Sequence, residues 1–95
     1  MSYKLKFLPS AQKEWQKLDP SIQMQLKKKL AERLEMPHVP ASKLRGFEAV
    51  YKIKLRSSGY RLVYEVDDET IVVIVIAVGK RDRSDVYEKA KNRIS

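Results

Sequence analysis

The 95-residue chain has no cysteine, which excludes disulfides and thiolate metal sites. Its one histidine, His38, rules out a nuclease built on two imidazoles and a histidine-rich metal cluster. Long hydrophobic runs are also missing. The longest, Ile71–Val78 (IVVIVIAV), has eight residues, which fits a strand and falls far short of the roughly 20 a membrane helix needs. The N-terminal MSYKLKFLPS lacks the apolar core of a signal peptide, so the expectation is a cytoplasmic protein with no membrane partner. Negative charge is scarce too: twelve Asp and Glu face twenty Lys and Arg, for a net charge of +8. Such a field favours nucleic acid, an anionic membrane surface or an acidic protein.

At 43% hydrophobic and 34% charged residues, the composition is globular, and the length predicts a single domain over residues 1–95. Tyr3–Leu8 alternates as a short strand. Pro9-Ser10 opens a helix with Ala11, Trp15 and Leu18 as its stripe. Asp19-Pro20 starts a second helix, the Asp side chain serving as N-cap, with Ile22, Leu26, Leu30 and Leu34 on one face. The Met36–Pro40 segment (MPHVP) ends it, with His38 an ordinary loop residue. Val50–Arg56, Tyr60–Val66 and Ile71–Val78 read as three strands in consecutive hairpins, and Ser84–Ile94 as a last helix carrying Val86, Ala90 and Ile94. The expected architecture is α+β, in the order β-α-α-β-β-β-α: a mainly antiparallel four-stranded sheet, an N-terminal helical hairpin and a short C-terminal helix.

The hairpin YKIKLRSSGYRLVY (51–64) carries the chemistry. Side chains alternate along a strand, so Tyr51, Ile53 and Leu55 share one face and Lys52, Lys54 and Arg56 the other. The apolar set of the next strand, Tyr60, Leu62, Tyr64 and Val66, must land on the first face. A two-residue turn at Ser58-Gly59 achieves this, pairing Ser57 with Tyr60, Arg56 with Arg61 and Lys54 with Val63. An odd-length loop would bury Arg61 among core residues, which is expensive. A second two-residue turn at Asp68-Glu69 would pair Val66 with Ile71 and Arg61 with Ile76. The third strand is apolar on both faces, so the helical hairpin covers one and the C-terminal helix the other. That helix brings Tyr87 to its edge, and the run GKRDR (79–83) emerges close to Arg61. The converging set is Lys52, Lys54, Arg61, Arg81 and Tyr87.

Lysines two apart on a strand sit about 7 Å apart and repel by on the order of 2 kcal/mol at an effective dielectric near 20. An anion relieves that repulsion, and a phosphodiester fits because charge accumulates on its oxygens during transfer. RNA can be cut without a metal when its own 2′-hydroxyl attacks the adjacent phosphorus. The reaction needs a base, charge stabilisation at phosphate and help for the departing 5′-oxygen. A phenol ionises near pH 10, and nearby cations favour its phenolate; Tyr87 therefore qualifies as base, and so do Lys52 and Lys54. Arg61 can clamp phosphate through two donors. Arg81 suits the leaving oxygen as a stabilising charge, since an arginine keeps its proton.

Lys43–Gly46 (KLRG), the 51–64 hairpin and Val78–Tyr87 (VGKRDRSDVY) together resemble a RelE-type toxin of the RelE/ParE superfamily, over essentially the whole chain. The resemblance implies the toxin of a bacterial toxin–antitoxin pair: a ribosome-dependent mRNA endonuclease acting in the ribosomal A site. It further implies metal-independent 2′-hydroxyl attack leaving a 2′,3′-cyclic phosphate and a 5′-hydroxyl, with no cofactor. Its functional residues match at Lys52, Lys54, Arg61, Arg81 and Tyr87, and Arg45 and Arg83 match positions expected to contact RNA or phosphate; Arg56 and Lys80 are further candidates for binding the substrate. Tyr87 and Lys54 both remain candidates for the base. The implied partners are mRNA, the 70S ribosome with its RNA, and a cognate antitoxin that wraps the toxin and displaces its C-terminal helix. The alternatives are a non-catalytic inhibitor of DNA gyrase, like the ParE toxins, and a plain RNA-binding module.

Overall fold

The computed structural model describes residues 2–80 and 85–94, the side chain of Asp85 excepted. Strand β1 (Lys4–Phe7) leads into helix α1 (Pro9–Gln16) and helix α2 (Pro20–Glu35). A short 3-10 turn (Pro40–Ser42) precedes β2 (Val50–Leu55), β3 (Tyr60–Asp67) and β4 (Val72–Lys80), and α3 (Asp85–Ile94) follows. The sheet order is β1-β4-β3-β2. It is mixed: β1 runs parallel to β4, while β2–β3 and β3–β4 are antiparallel.

The four-residue periodicity of α2 does what it predicts. Ile22, Leu26 and Leu30 are buried, and Ala11 of α1 joins them against Ile53, Leu62, Tyr64, Val73 and Val75. Trp15 stays half-buried and packs against Phe7, ring centroids 5.4 Å apart. Asp19 does not cap α2 with its side chain. Its main-chain carbonyl instead accepts the Gln23 N–H at 3.0 Å, and Pro20 at the first helical position has no N–H to satisfy.

Both hairpin registers differ from expectation by two residues while keeping their parity. Leu55 pairs with Tyr60 and Lys54 with Arg61, so the turn is the four residues 56–59. A two-residue type I′ turn needs positive φ at both central residues. Only Gly59 adopts it (φ +77°), and its N–H closes the longer loop onto the Leu55 carbonyl at 2.9 Å. At the second turn the Asp67 carboxylate accepts the N–H groups of Glu69 (3.0 Å) and Thr70 (3.3 Å). That side-chain turn pairs Asp67 with Val72 and leaves Ile71 outside the strand at φ +57°.

The third difference is a β-bulge in β4. Val63 pairs with Ala77 but Tyr64 pairs with Val75, which leaves Ile76 as the extra residue. Ile76 and Ala77 therefore both reach the α3 side, where they form a cluster with Val50, Val63, Val86 and Ala90. Beyond the bulge the alternation is inverted. Val78 belongs to the helical-hairpin core, and Arg61 lies opposite Gly79 rather than Ile76.

Candidate functional site

Cross-strand neighbours on the α3 face form two rows, Lys52–Val63–Ala77 and Lys54–Arg61–Gly79. The first is covered at its apolar end by Val86 and Ala90. The second ends on glycine, which places no side chain beside Arg61. Arg61 is only 6% exposed. Its Nη1 donates to the Tyr60 carbonyl at 3.2 Å, and among the described residues no carboxylate comes within ion-pair reach. A buried cation is costly unless a counter-charge meets it.

A loop carries Arg45 to the same face. Lys43 forms a bridge with Tyr51, and the Leu44 N–H donates to the Val50 carbonyl at 2.8 Å. The turn at Arg45-Gly46 depends on the left-handed backbone of Gly46 (φ +91°), while Leu44 and Phe47 pack on the α3 cluster. Arg45 thereby lines a pocket of about 490 Å³ with Lys43, Phe47, Lys52 and Tyr87. Lys52 Nζ lies 5.9 Å from the centroid of the Tyr87 ring, within reach of a cation–π attraction.

The structure thus brings Lys52, Tyr87 and Arg45 together, with Lys54 and Arg61 in the adjoining row. Arg56 sits in the four-residue turn and lines a second groove beside Lys52 and Lys54. Lys80 does not join them. It pairs with Tyr60 and holds its Nζ 5.6 Å from that ring, on the hairpin-facing side, because the bulge inverted the alternation. Arg81 and Arg83 lie outside the described residues. Among the described residues no group of three His, Asp or Glu is placed to hold a metal ion. An apolar groove of about 330 Å³, lined by Leu5, Phe7, Trp15, Lys27, Leu30 and Leu34, opens away from these cations.

Two supporting networks escaped the sequence reading. Glu14 of α1 accepts Arg93 Nη1 at 2.9 Å and Nη2 at 3.0 Å, Lys89 Nζ at 3.3 Å and the Val78 N–H at 3.1 Å. Burial pushes the Glu14 carboxyl up, but the hydrogen bonds from Arg93 and Val78, the Arg93 charge and Lys89 outweigh it and hold it below the ordinary range. Arg93 also donates to the Ile76 carbonyl at 2.8 Å, so this clamp fixes α3, and with it Tyr87, to α1 and β4. His38 is likewise more than a loop residue: it contacts the Tyr51 hydroxyl through Nδ1 and Asp68 through Nε2, both at 2.9 Å. Hydrogen bonds from Tyr3 and then His38 keep the Asp68 carboxyl low, and the same Tyr3–Asp68 bond raises the Tyr3 phenol. No local motif announces either network, because the partners are distant in sequence.

Known proteins share this arrangement of elements. Residues 5–85 match the model of the ParE toxin family of type II toxin–antitoxin systems. The chain is 61% identical to the mRNA interferase toxin RelE of Escherichia coli K12 over 99% of both chains. The same identity and coverage hold for the mRNA interferase RelE of Shigella flexneri. A free R81A/R83A mutant of E. coli RelE superposes with a TM-score of 0.92 at 58% identity, covering all of both chains. RelE in the intact E. coli RelBE toxin–antitoxin complex matches at 0.83 and 60% identity, over 86% of this chain and all of that one. The family model carries the ParE description, whereas the end-to-end identity near 60% is to proteins named RelE. The chain belongs to the RelE-type toxins of the RelE/ParE superfamily.

Proposed function

We propose that residues 1–95, as one RelE-like toxin domain, form a ribosome-dependent endoribonuclease that cuts messenger RNA in the A site of the 70S ribosome. The observation that carries this reading is Arg61: a buried guanidinium with no carboxylate partner among the described residues, in one row with Lys54 and beside Lys52 and Tyr87. The relatives' name, mRNA interferase, supplies the substrate.

In this mechanism the RNA 2′-oxygen forms a bond to the adjacent phosphorus as the bond to the 5′-oxygen breaks. Tyr87 or Lys54 takes the 2′ proton, and the departing 5′-oxygen takes up a proton in turn. The ends left are a 2′,3′-cyclic phosphate and a 5′-hydroxyl. Arg61 and Lys52 meet the charge growing on the phosphate oxygens, which lets the reaction proceed without a metal or other cofactor. Arg81 stabilises the leaving oxygen, and Arg45, Arg56 and Arg83 hold RNA. The solved R81A/R83A form of the E. coli relative carries alanine at two positions equivalent to members of this set. The setting is the cytoplasm, and the regulator is a cognate antitoxin that wraps the toxin and lifts α3, taking Tyr87 out of the pocket. E. coli RelE has been solved with its antitoxin.

Primer extension on a translated message, with and without the protein, tests the proposal. The expected result is cleavage in codon register, lost in Arg81→Ala while the fold is retained; full cleavage by that variant would remove Arg81 from its role. The ParE description of the matching family keeps one second reading alive, a non-catalytic gyrase inhibitor. Inhibition of supercoiling by the purified chain, without any cut message, would establish it instead.

A further inference from the structure

Lys27, Lys28 and Lys29 are consecutive exposed residues of α2, and Lys29 reaches a groove on the cationic side. One turn later on α2 comes Arg33, and both line a groove of about 350 Å³ along the outer edge of β2, together with Ser42, Lys52, Lys54 and Arg56. The groove walls hold five cations and no carboxylate. Arg33 is not a loose surface charge. Its Nη1 donates to the Tyr64 hydroxyl at 2.9 Å and the Lys52 carbonyl at 3.3 Å, and its Nη2 to Ser42 Oγ at 3.2 Å. All three partners are neutral, so the guanidinium is held in place with its charge unspent, and among the described residues no acid pairs with it.

Lys52 lines this groove and also the Tyr87 pocket. The two are therefore neighbours across one strand, and Lys52 and Lys54 continue the path at about 7 Å intervals. A polymer with regularly spaced anions, lying over Lys52, runs from one depression into the other. Fixed planar guanidinium forks suit phosphate oxygens.

We propose that the groove of Lys29, Arg33, Lys54 and Arg56 is a second phosphate seat, which holds the RNA strand where it continues past the scissile linkage. The inference rests on the proposed placement of RNA over Lys52, though not on the strand being cut. Arg33 is the fixed donor, and Lys29 and Arg56 close over the phosphate from the helix and the turn. The seat sets the strand's direction across the sheet.

Binding of labelled single-stranded RNA, with a 2′-deoxy residue at the scissile position, tests this by fluorescence anisotropy across a salt series. One oligonucleotide spans only the scissile linkage, and two others extend it in either direction. Wild-type protein is compared with the Lys29→Gln/Arg56→Gln double variant, both positions being exposed and outside the core. The expected result is weaker binding of one extended RNA only, with its logarithmic salt slope reduced by about 0.7, the value for one lost phosphate contact. Equal weakening of all three RNAs would overturn the proposal in favour of a diffuse field. An unchanged extended RNA, with lost binding of polyglutamate, would overturn it in favour of an acidic protein partner. A length-dependent loss alongside an uncut translated message would support the seat while refuting the cleavage reading. Circular dichroism of the double variant confirms that the fold is unaltered.

Discussion

The two faces of the sheet are finished differently. The face under α1 and α2 is closed by apolar side chains from both helices, with Leu26 fully buried and Leu30, Ile53 and Tyr64 essentially so. The face under α3 is closed at one end by Val86 and Ala90 and left cationic at the other, where Arg61 is buried with no acidic partner among the described residues. One face supplies stability. The other keeps a charge buried at a cost in stability, a compromise common at functional sites.

The comparison is tested hardest by Leu26→Ala on the closed face. It should cost about 2–5 kcal/mol in denaturant unfolding, the range for opening a cavity in a packed core. Arg61→Met should reverse the pattern. Cleavage of a translated message falls about 100-fold or more, as for loss of a transition-state donor, while unfolding stability holds or rises by about 1 kcal/mol. A stability loss as large as that of Leu26→Ala would show that Arg61 is structural and break the contrast.

Glu14→Gln addresses the clamp between the faces and should cost about 2 kcal/mol at neutral pH, the value of hydrogen bonds to charged groups. The folded carboxyl sits below its ordinary range. Its contribution is thus present above the unfolded value near 4.3 and disappears as pH falls through the lower folded one. Unfolding curves of the two proteins should differ at pH 7 and converge at strongly acidic pH. The smallest effect belongs to Ile71, a β-branched residue held at φ +57°. Ile71→Gly should raise the unfolding free energy by about 1 kcal/mol, since glycine adopts that backbone without the steric penalty.

Much of this was legible in the sequence, and the limits have physical causes. Apolar parity put Arg61 with Lys52 and Lys54, and parity survived both register errors because a shift of two residues leaves every side chain on its face. The absolute register depended on backbone conformation at Gly59 and on the Asp67 side chain, neither of which a hydrophobic pattern records. The bulge was invisible because Ile76 and Ala77 are both apolar and fit either face, and that one omission misplaced Lys80. The Arg93–Glu14 clamp joins positions 79 apart, and the His38–Asp68 contact joins positions 30 apart. Contacts of that kind follow from the assembled fold rather than from any local spacing.

The bulge makes the site a matter of counting. Were β4 to pair with β3 without the bulge, Ile76 would take Val63 as its partner, Val78 would come opposite Arg61 and Gly79 would move to the other face. An isopropyl group would then stand beside Arg61, where the row now ends on glycine. The composition of the strand would be unchanged, yet the surroundings of the guanidinium would not. One unpaired residue, rather than any particular side chain, decides what stands opposite the buried cation.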